Sequence, residues 1–268
     1  MGLLIAAILI ALLVTVGLPI IASLWLNKNL AVSWRVIIYG VLGYFVVQFL
    51  VTLLFSGVMA LYDLDVLNLS AYPLYTVQLV SSVLFGAIVG VVVRWAVLRY
   101  AKEPLINLES AYGIGIGFGG TESIVRVGLP LLFTFITMLS NFNIDPQTSS
   151  LEPGAISQFE ALWQVPAFVP LAGSMERLAA LFMHLTVMVL ILQTFTRKNN
   201  LWLGAAIGLE LLVNGLMVWL ALEERFAGNG MAYGWMIGLA LFLMVGNFYL
   251  LFSLNGFDVD ITKAKEGA

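Results

Sequence analysis

Seven stretches of this 268-residue chain are long and apolar enough to cross a bilayer, which points to one fold class, a helical membrane bundle. A span takes about 20 mostly apolar residues, and lipid offers the backbone no hydrogen-bond partner. Each crossing segment must therefore satisfy its own amides as a helix. The stretches are about 2–26, 36–61, 77–98, 110–141, 174–196, 201–222 and 231–253. Only 10% of the residues are charged, against about 25% in soluble domains. The expectation is an all-α polytopic bundle of about seven spans, with residues 1–268 forming a single integral membrane domain in contact with lipid. The first stretch has no basic lead and exceeds a signal-peptide core, so it reads as a retained helix.

Composition also removes function classes. The formal net charge of −3 carries no nucleic-acid signal. The absence of cysteine excludes disulfides, thiolate nucleophiles and Cys-based zinc sites. One histidine leaves little room for a multi-His metal site, so no metal and no cofactor are expected. One His with two or three glutamates could hold zinc, but more His ligands are usual.

Basic residues alternate along the chain. Lys28 and Arg35 follow the first stretch, Arg99 and Lys102 the third, Arg197 and Lys198 the fifth, and Lys263 and Lys265 lie in the tail. Connections 62–76 and 142–173 have none; Arg225, beside Glu223 and Glu224, is the exception. The positive-inside rule puts the N-terminus outside and the C-terminus in the cytoplasm, as in a multi-pass protein of a bacterial-type cytoplasmic (inner) membrane. Connection 142–173 is broken by Pro146, Pro153, Pro166 and Pro170. Within it Ile156, Phe159, Leu162 and Trp163 fall at helical spacing, predicting a short interfacial helix. The tail after Ser253 is polar and reads as frayed. No internal repeat stands out, which weakens an inverted-repeat transporter.

The fourth stretch carries Gly113, Gly115, Gly117, Gly119 and Gly120 ahead of Glu122. Each interior glycine costs roughly 0.5–1 kcal/mol relative to alanine. Gly113, Gly117 and Gly120 share a face, so close helix packing explains them; Gly86/Gly90 and Gly204/Gly208 have GxxxG spacing as well. The functional alternative is a helix thinned or partly unwound to admit substrate or water beside Glu122.

Five ionisable positions lie inside apolar stretches: Arg94, Glu122, Arg126, His184 and Glu210, with Glu176 and Arg177 at the mouth of the fifth. A charge at the bilayer centre costs roughly 2.5–3.5 kcal/mol on insertion scales, so such residues face inward and pair. Glu122 and Arg126 share a helix face, as do Arg177 and His184, and Glu210 and Asn214. Glu210 needs a partner across the bundle, from Arg94, Arg126, Arg177 or His184, or must stay protonated. Arg94 could instead snorkel to the membrane surface. A carboxylate and an imidazole in a dry site suit general base and acid work on water; they suit a proton relay or a cation equally.

The segment from Glu176-Arg177 to His184 resembles the ER…H segment of the YhfC family, bacterial membrane proteins related to CAAX-protease-like intramembrane peptidases. Gly115 to Glu122 is similar to that family's GxGHGGxE segment, and Glu210 to Asn214 takes the place of its HxxxD/N segment. There are departures. The family's Glu-Glu pair before an arginine falls on Gly90-Val91 before Arg94; its glycine-segment histidine is Phe118, and a later one is Glu210. The resemblance implies an intramembrane peptidase relative of glutamic type with a partly lost active site, its residues being Glu122, His184, Glu210, Asn214 and Glu176. A transmembrane or membrane-associated peptide would be the substrate. The alternatives are a catalytically silent membrane scaffold or partner-binding protein and, third, a proton- or ion-coupled transporter.

The charge alternation generates a test. Reporter fusions after residue 30, 101, 199 or 264 should score cytoplasmic, and those after 68 or 150 external. A cytoplasmic score at 150 would break the seven-span topology.

Overall fold

The computed structural model describes residues 2–66, 72–100, 106–141, 153–222 and 230–254. Every regular element among them is helical. Helix α1 (Gly2–Leu12) runs through a π-helical turn into α2 (Leu18–Asn29), together filling the first expected span. The next two spans are α3 (Trp34–Asp63) and α4 (Leu74–Tyr100). The fourth span is α5 (Leu108–Ser123), a second π-helical turn and α6 (Leu129–Ser140). After α7 (Pro153–Trp163) come α8 (Phe168–Thr196), α9 (Leu201–Leu222) and α10 (Gly230–Ser253). Six of the spans are long and apolar enough to cross a membrane; in α9 the described apolar stretch is Leu201–Leu216. The protein is a multi-pass membrane protein. Phe49, Phe133, Phe242 and Tyr249 stand outward on its surface, as a lipid-facing girdle requires and water would not tolerate.

One boundary differs clearly from the sequence expectation. The fifth span begins at Phe168 rather than 174, because Pro170 sits in the first turn of α8, where its missing N–H has no intrahelical partner to lose. Glu176 and Arg177 therefore lie more than two turns inside the helix instead of at its mouth. The expected short helix appears as α7, with Leu162 and Trp163 packed on Leu4, Ile8 and Met138. The tail after Leu254 and residues 142–152 fall outside the described residues.

Helix α8 is the axis of the bundle. Its second half, from Thr186 to Leu192, is buried without interruption and supplies the main apolar core. Helix α5 is enclosed as thoroughly: every residue from Ser110 to Gly120 is buried. Asn107 caps it by accepting from the Ser110 N–H at 2.7 Å. Its glycines are what allow this enclosure. A Cβ on Gly117 would stand 2.1 Å from the Ile37 carbonyl oxygen of α3, and one on Gly120 would stand 2.8 Å from Pro19 Cβ of α2. On another face, a Cβ on Gly119 would stand 2.6 Å from His184 Cδ2 of α8. The close-packing reading of this run holds. The spacing at Gly204 and Gly208 has no such role, since a Cβ there would meet nothing within 4 Å, and the same is true of Gly86.

The helix does loosen, but after the glycines. Leu18 N–H donates five residues back to the Leu13 carbonyl, and Leu129 N–H likewise to Ile124. Both π-helical turns carry the pattern Val-x-Val-Gly-Leu-Pro, at 14–19 and 125–130. The cause is the proline, which has no N–H for the carbonyl four residues back and whose ring crowds it. For Pro19 that carbonyl belongs to Thr15, and the Ser123 hydroxyl donates to it at 2.9 Å. The paired turns also pack: a Cβ on Gly128 would stand 2.5 Å from Val16 Cγ2. This six-residue echo is one local device used twice.

Gly117→Ala should destabilise the protein by about 1–3 kcal/mol, the usual cost of overpacking. Gly204→Ala, built into open space, should be neutral or slightly stabilising. Thermal denaturation in one detergent compares them; equal midpoints would refute the packing assignment.

Candidate functional site

Four helices meet around the charged residues. Helix α4 brings Arg94, α5 brings Phe118 and Glu122, and the following π-helical turn brings Arg126. Glu176, Arg177 and His184 come from α8, and Glu210 and Asn214 from α9. Glycines make the room. Besides Gly119 against His184, a Cβ on Gly90 would stand 3.2 Å from Glu210 Oε2 and 3.3 Å from an Arg94 terminal nitrogen.

Arg94 is fully buried and points inward, so it does not snorkel. Its Nε donates to the Gly90 carbonyl at 2.8 Å, and one terminal nitrogen pairs with Glu210 Oε1. The other terminal nitrogen lies 3.1 Å from His184 Nδ1. The guanidinium also covers the Phe118 ring at 4.5 Å, a cation–π contact in a desolvated place. Glu210 thus finds its expected cross-bundle partner.

A guanidinium only donates, so Nδ1 of His184 must accept. That assigns the proton of a neutral imidazole to Nε2. Nε2 lies 3.0 Å from Glu122 Oε2, with the distance of an ion pair but without the alignment of a hydrogen bond. Glu122 Oε1 accepts from Arg126 at 3.1 Å and from Arg177 at 3.3 Å. Arg177 in turn grips Glu176 through both its Nε and a terminal nitrogen. The result is one continuous chain: Glu176, Arg177, Glu122, His184, Arg94, Glu210. Arg126 is its most exposed member, at 53%.

This chain borders a cavity of about 230 Å³. Glu122, Glu176, His184, Glu210 and Asn214, the five residues singled out from sequence, all line it. Gln48 of α3 and Ser82 of α4 line it too and were not anticipated. A lone glutamine in the stretch 36–61 was the available signal. Chemically, the cavity offers a carboxylate beside an imidazole, with cationic and amide donors around them.

The buried pair has a measurable signature. Arg94→Met alone should cost about 3–5 kcal/mol, because it strands a buried carboxylate, whereas Arg94→Met with Glu210→Leu should recover much of that loss. A double-mutant cycle on denaturation midpoints measures this; additive losses would contradict a direct pair.

A family model described as YhfC intramembrane metalloprotease matches residues 12–227. No curated protein and no solved structure matches the chain. The match covers well over half of the chain, and with a cavity of ionisable groups enclosed by membrane-spanning helices it leads to one assignment: the chain belongs to the YhfC intramembrane metalloprotease family.

Proposed function

We propose that the chain is an intramembrane peptidase of glutamic type that acts on membrane-embedded peptides, in a cytoplasmic membrane with its N-terminus outside and its C-terminus inside. The observation that carries this reading is the approach of Glu122 Oε2 to within 3.0 Å of His184 Nε2 at the wall of the cavity. Glu122 is the base: it takes a proton from water as the water oxygen attacks the peptide carbonyl carbon, and later returns a proton to the leaving nitrogen. His184, with its donor face on Nε2, polarises the water or carbonyl, and Asn214 helps hold the oxyanion. Glu210 is tied to Arg94 and Glu176 to Arg177, so their role is to position arginines.

The family description implies a metal, and the donor set here does not fit one. Glu210 is engaged by Arg94, Glu176 by Arg177, and Glu122 by Arg126 and Arg177. His184 Nδ1 faces a guanidinium. Among the described residues no cluster of three His, Cys, Asp or Glu side chains is arranged as metal ligands. No step of the reaction proposed here runs through a metal.

The same pairing favours a second reading, a silent relative that binds a membrane peptide without cutting it. All three cavity glutamates are held by arginines, so water must compete with a guanidinium for each of them. A coupled transporter draws less support, since Glu210 is occupied by Arg94.

Purified protein against a panel of transmembrane peptides separates the readings. Under the hydrolytic one, wild type cleaves, and Glu122→Gln and His184→Ala each lose about 10²–10⁴-fold in rate at unchanged fold. Under the silent one, wild type does not cleave and the variants lose stability instead. Cleavage surviving in both variants would remove these residues from the mechanism.

A further inference from the structure

We infer that the Arg94 guanidinium is the resident cation of this site, standing where a divalent metal would bridge His184 and Glu210, so that the protein neither binds nor needs such a metal. The inference concerns metal binding and stability and holds whether or not the chain cleaves peptides.

The argument starts from spacing. His184 Nδ1 and Glu210 Oε1 are 3.8 Å apart. A tetrahedral zinc about 2.0–2.1 Å from each ligand atom would hold nitrogen and oxygen about 3.3–3.5 Å apart. The two atoms are thus close to a bridging distance, and the group that bridges them is Arg94. One terminal nitrogen meets Nδ1 at 3.1 Å and the other pairs with Oε1. Both lone pairs a metal would need are already directed at N–H donors.

The third side of the position gives the same answer. Phe118 of α5 sits against the imidazole with ring centroids 5.2 Å apart, and its face is turned to the guanidinium at 4.5 Å. A phenyl face stabilises an organic cation and has no lone pair for a metal. Gly90 and Gly119 complete the nest, each leaving no slack for a Cβ beside Arg94 or His184.

Charge closes the argument. In the ion-pair network Arg94, Arg126 and Arg177 balance Glu122, Glu176 and Glu210 one for one. A divalent ion would add two uncompensated positive charges among side chains at most 4% exposed. It enters only if a guanidinium leaves, and Arg94 is sealed in by its neighbours.

The test uses the full-length protein purified in detergent. Elemental analysis should find well under one-tenth of an equivalent, roughly, of any divalent metal per chain, and neither EDTA nor ZnCl₂ should move the melting midpoint beyond error. About one equivalent of bound metal, or a midpoint lowered by EDTA, would overturn the inference. A second arm converts the site: Arg94→Met removes the cation, and Phe118→His offers an imidazole beside His184. ZnCl₂ should raise the midpoint of this double variant and not that of wild type. A folded double variant indifferent to ZnCl₂ would overturn the assignment of the cation position to Arg94. Should the variant fail to fold, metal content and chelator response of the wild type still decide the matter.

Discussion

A guanidinium buried in a membrane bundle has no partners but those the protein provides, and Arg94 dictates much of what surrounds it. Its stem leaves α4 one turn beyond Gly90, whose carbonyl it engages. Its head needs a carboxylate, which α9 supplies at Glu210, and an acceptor, which α8 supplies at His184. Those requirements fix three helices relative to one another at mid-bundle. The energetic logic is asymmetric: making the pair returns little beyond its desolvation cost, while losing either partner leaves a stranded charge. The pair is therefore better understood as setting helix register than as a source of net stability.

Prolines shape the other half of the site. Without the π-helical turn at Ile124–Gly128, the carbonyl of Arg126 would meet the Pro130 ring. The wider turn relieves that crowding just beyond Glu122, while the α-helical Glu122–Arg126 contact survives at 3.1 Å. At the matching turn in the first span, the carbonyl released by Pro19 becomes the acceptor for Ser123, one residue after Glu122. A defect in one helix thus anchors the next beside Glu122. Such π-bulges often mark functional sites, and here the backbone chemistry behind them is explicit.

The spans were legible because membrane insertion is decided by length and apolarity, both local properties. The inward convergence of Glu122, His184 and Glu210 was legible for a related reason, since an ionisable side chain facing lipid is costly wherever it sits. Partner choice was not. Arg94, Arg126, Arg177 and His184 were all open to Glu210, and only the packing of α4 against α9 selects the first. The glycine spacings misled for the same reason. Gly117 and Gly204 look alike in a GxxxG pattern, yet one meets a backbone carbonyl of α3 and the other open space. The early start of α8 was hidden by Pro170, which breaks a helix interior but is tolerated in a first turn.

The balance of charges constrains how this site could work. Glu122 is held by Arg126, Arg177 and His184, so under the hydrolytic reading it must shed one of them for water to reach a lone pair. Arg177 cannot leave cheaply, because it is forked onto Glu176 and largely buried. His184 is pinned from behind by Arg94. Arg126 is the exception: more than half exposed, it grips Glu122 by a single contact on the cavity side. Under the hydrolytic reading, a peptide carbonyl entering the cavity would compete for that guanidinium and, by taking it, would free a lone pair of Glu122 for water. On this account binding and base activation are one event, with the arginine passing from enzyme carboxylate to substrate oxygen. If an entering peptide could not draw Arg126 away, the same geometry would bind without cutting, so the two proposed functions would divide on the strength of one half-exposed ion pair.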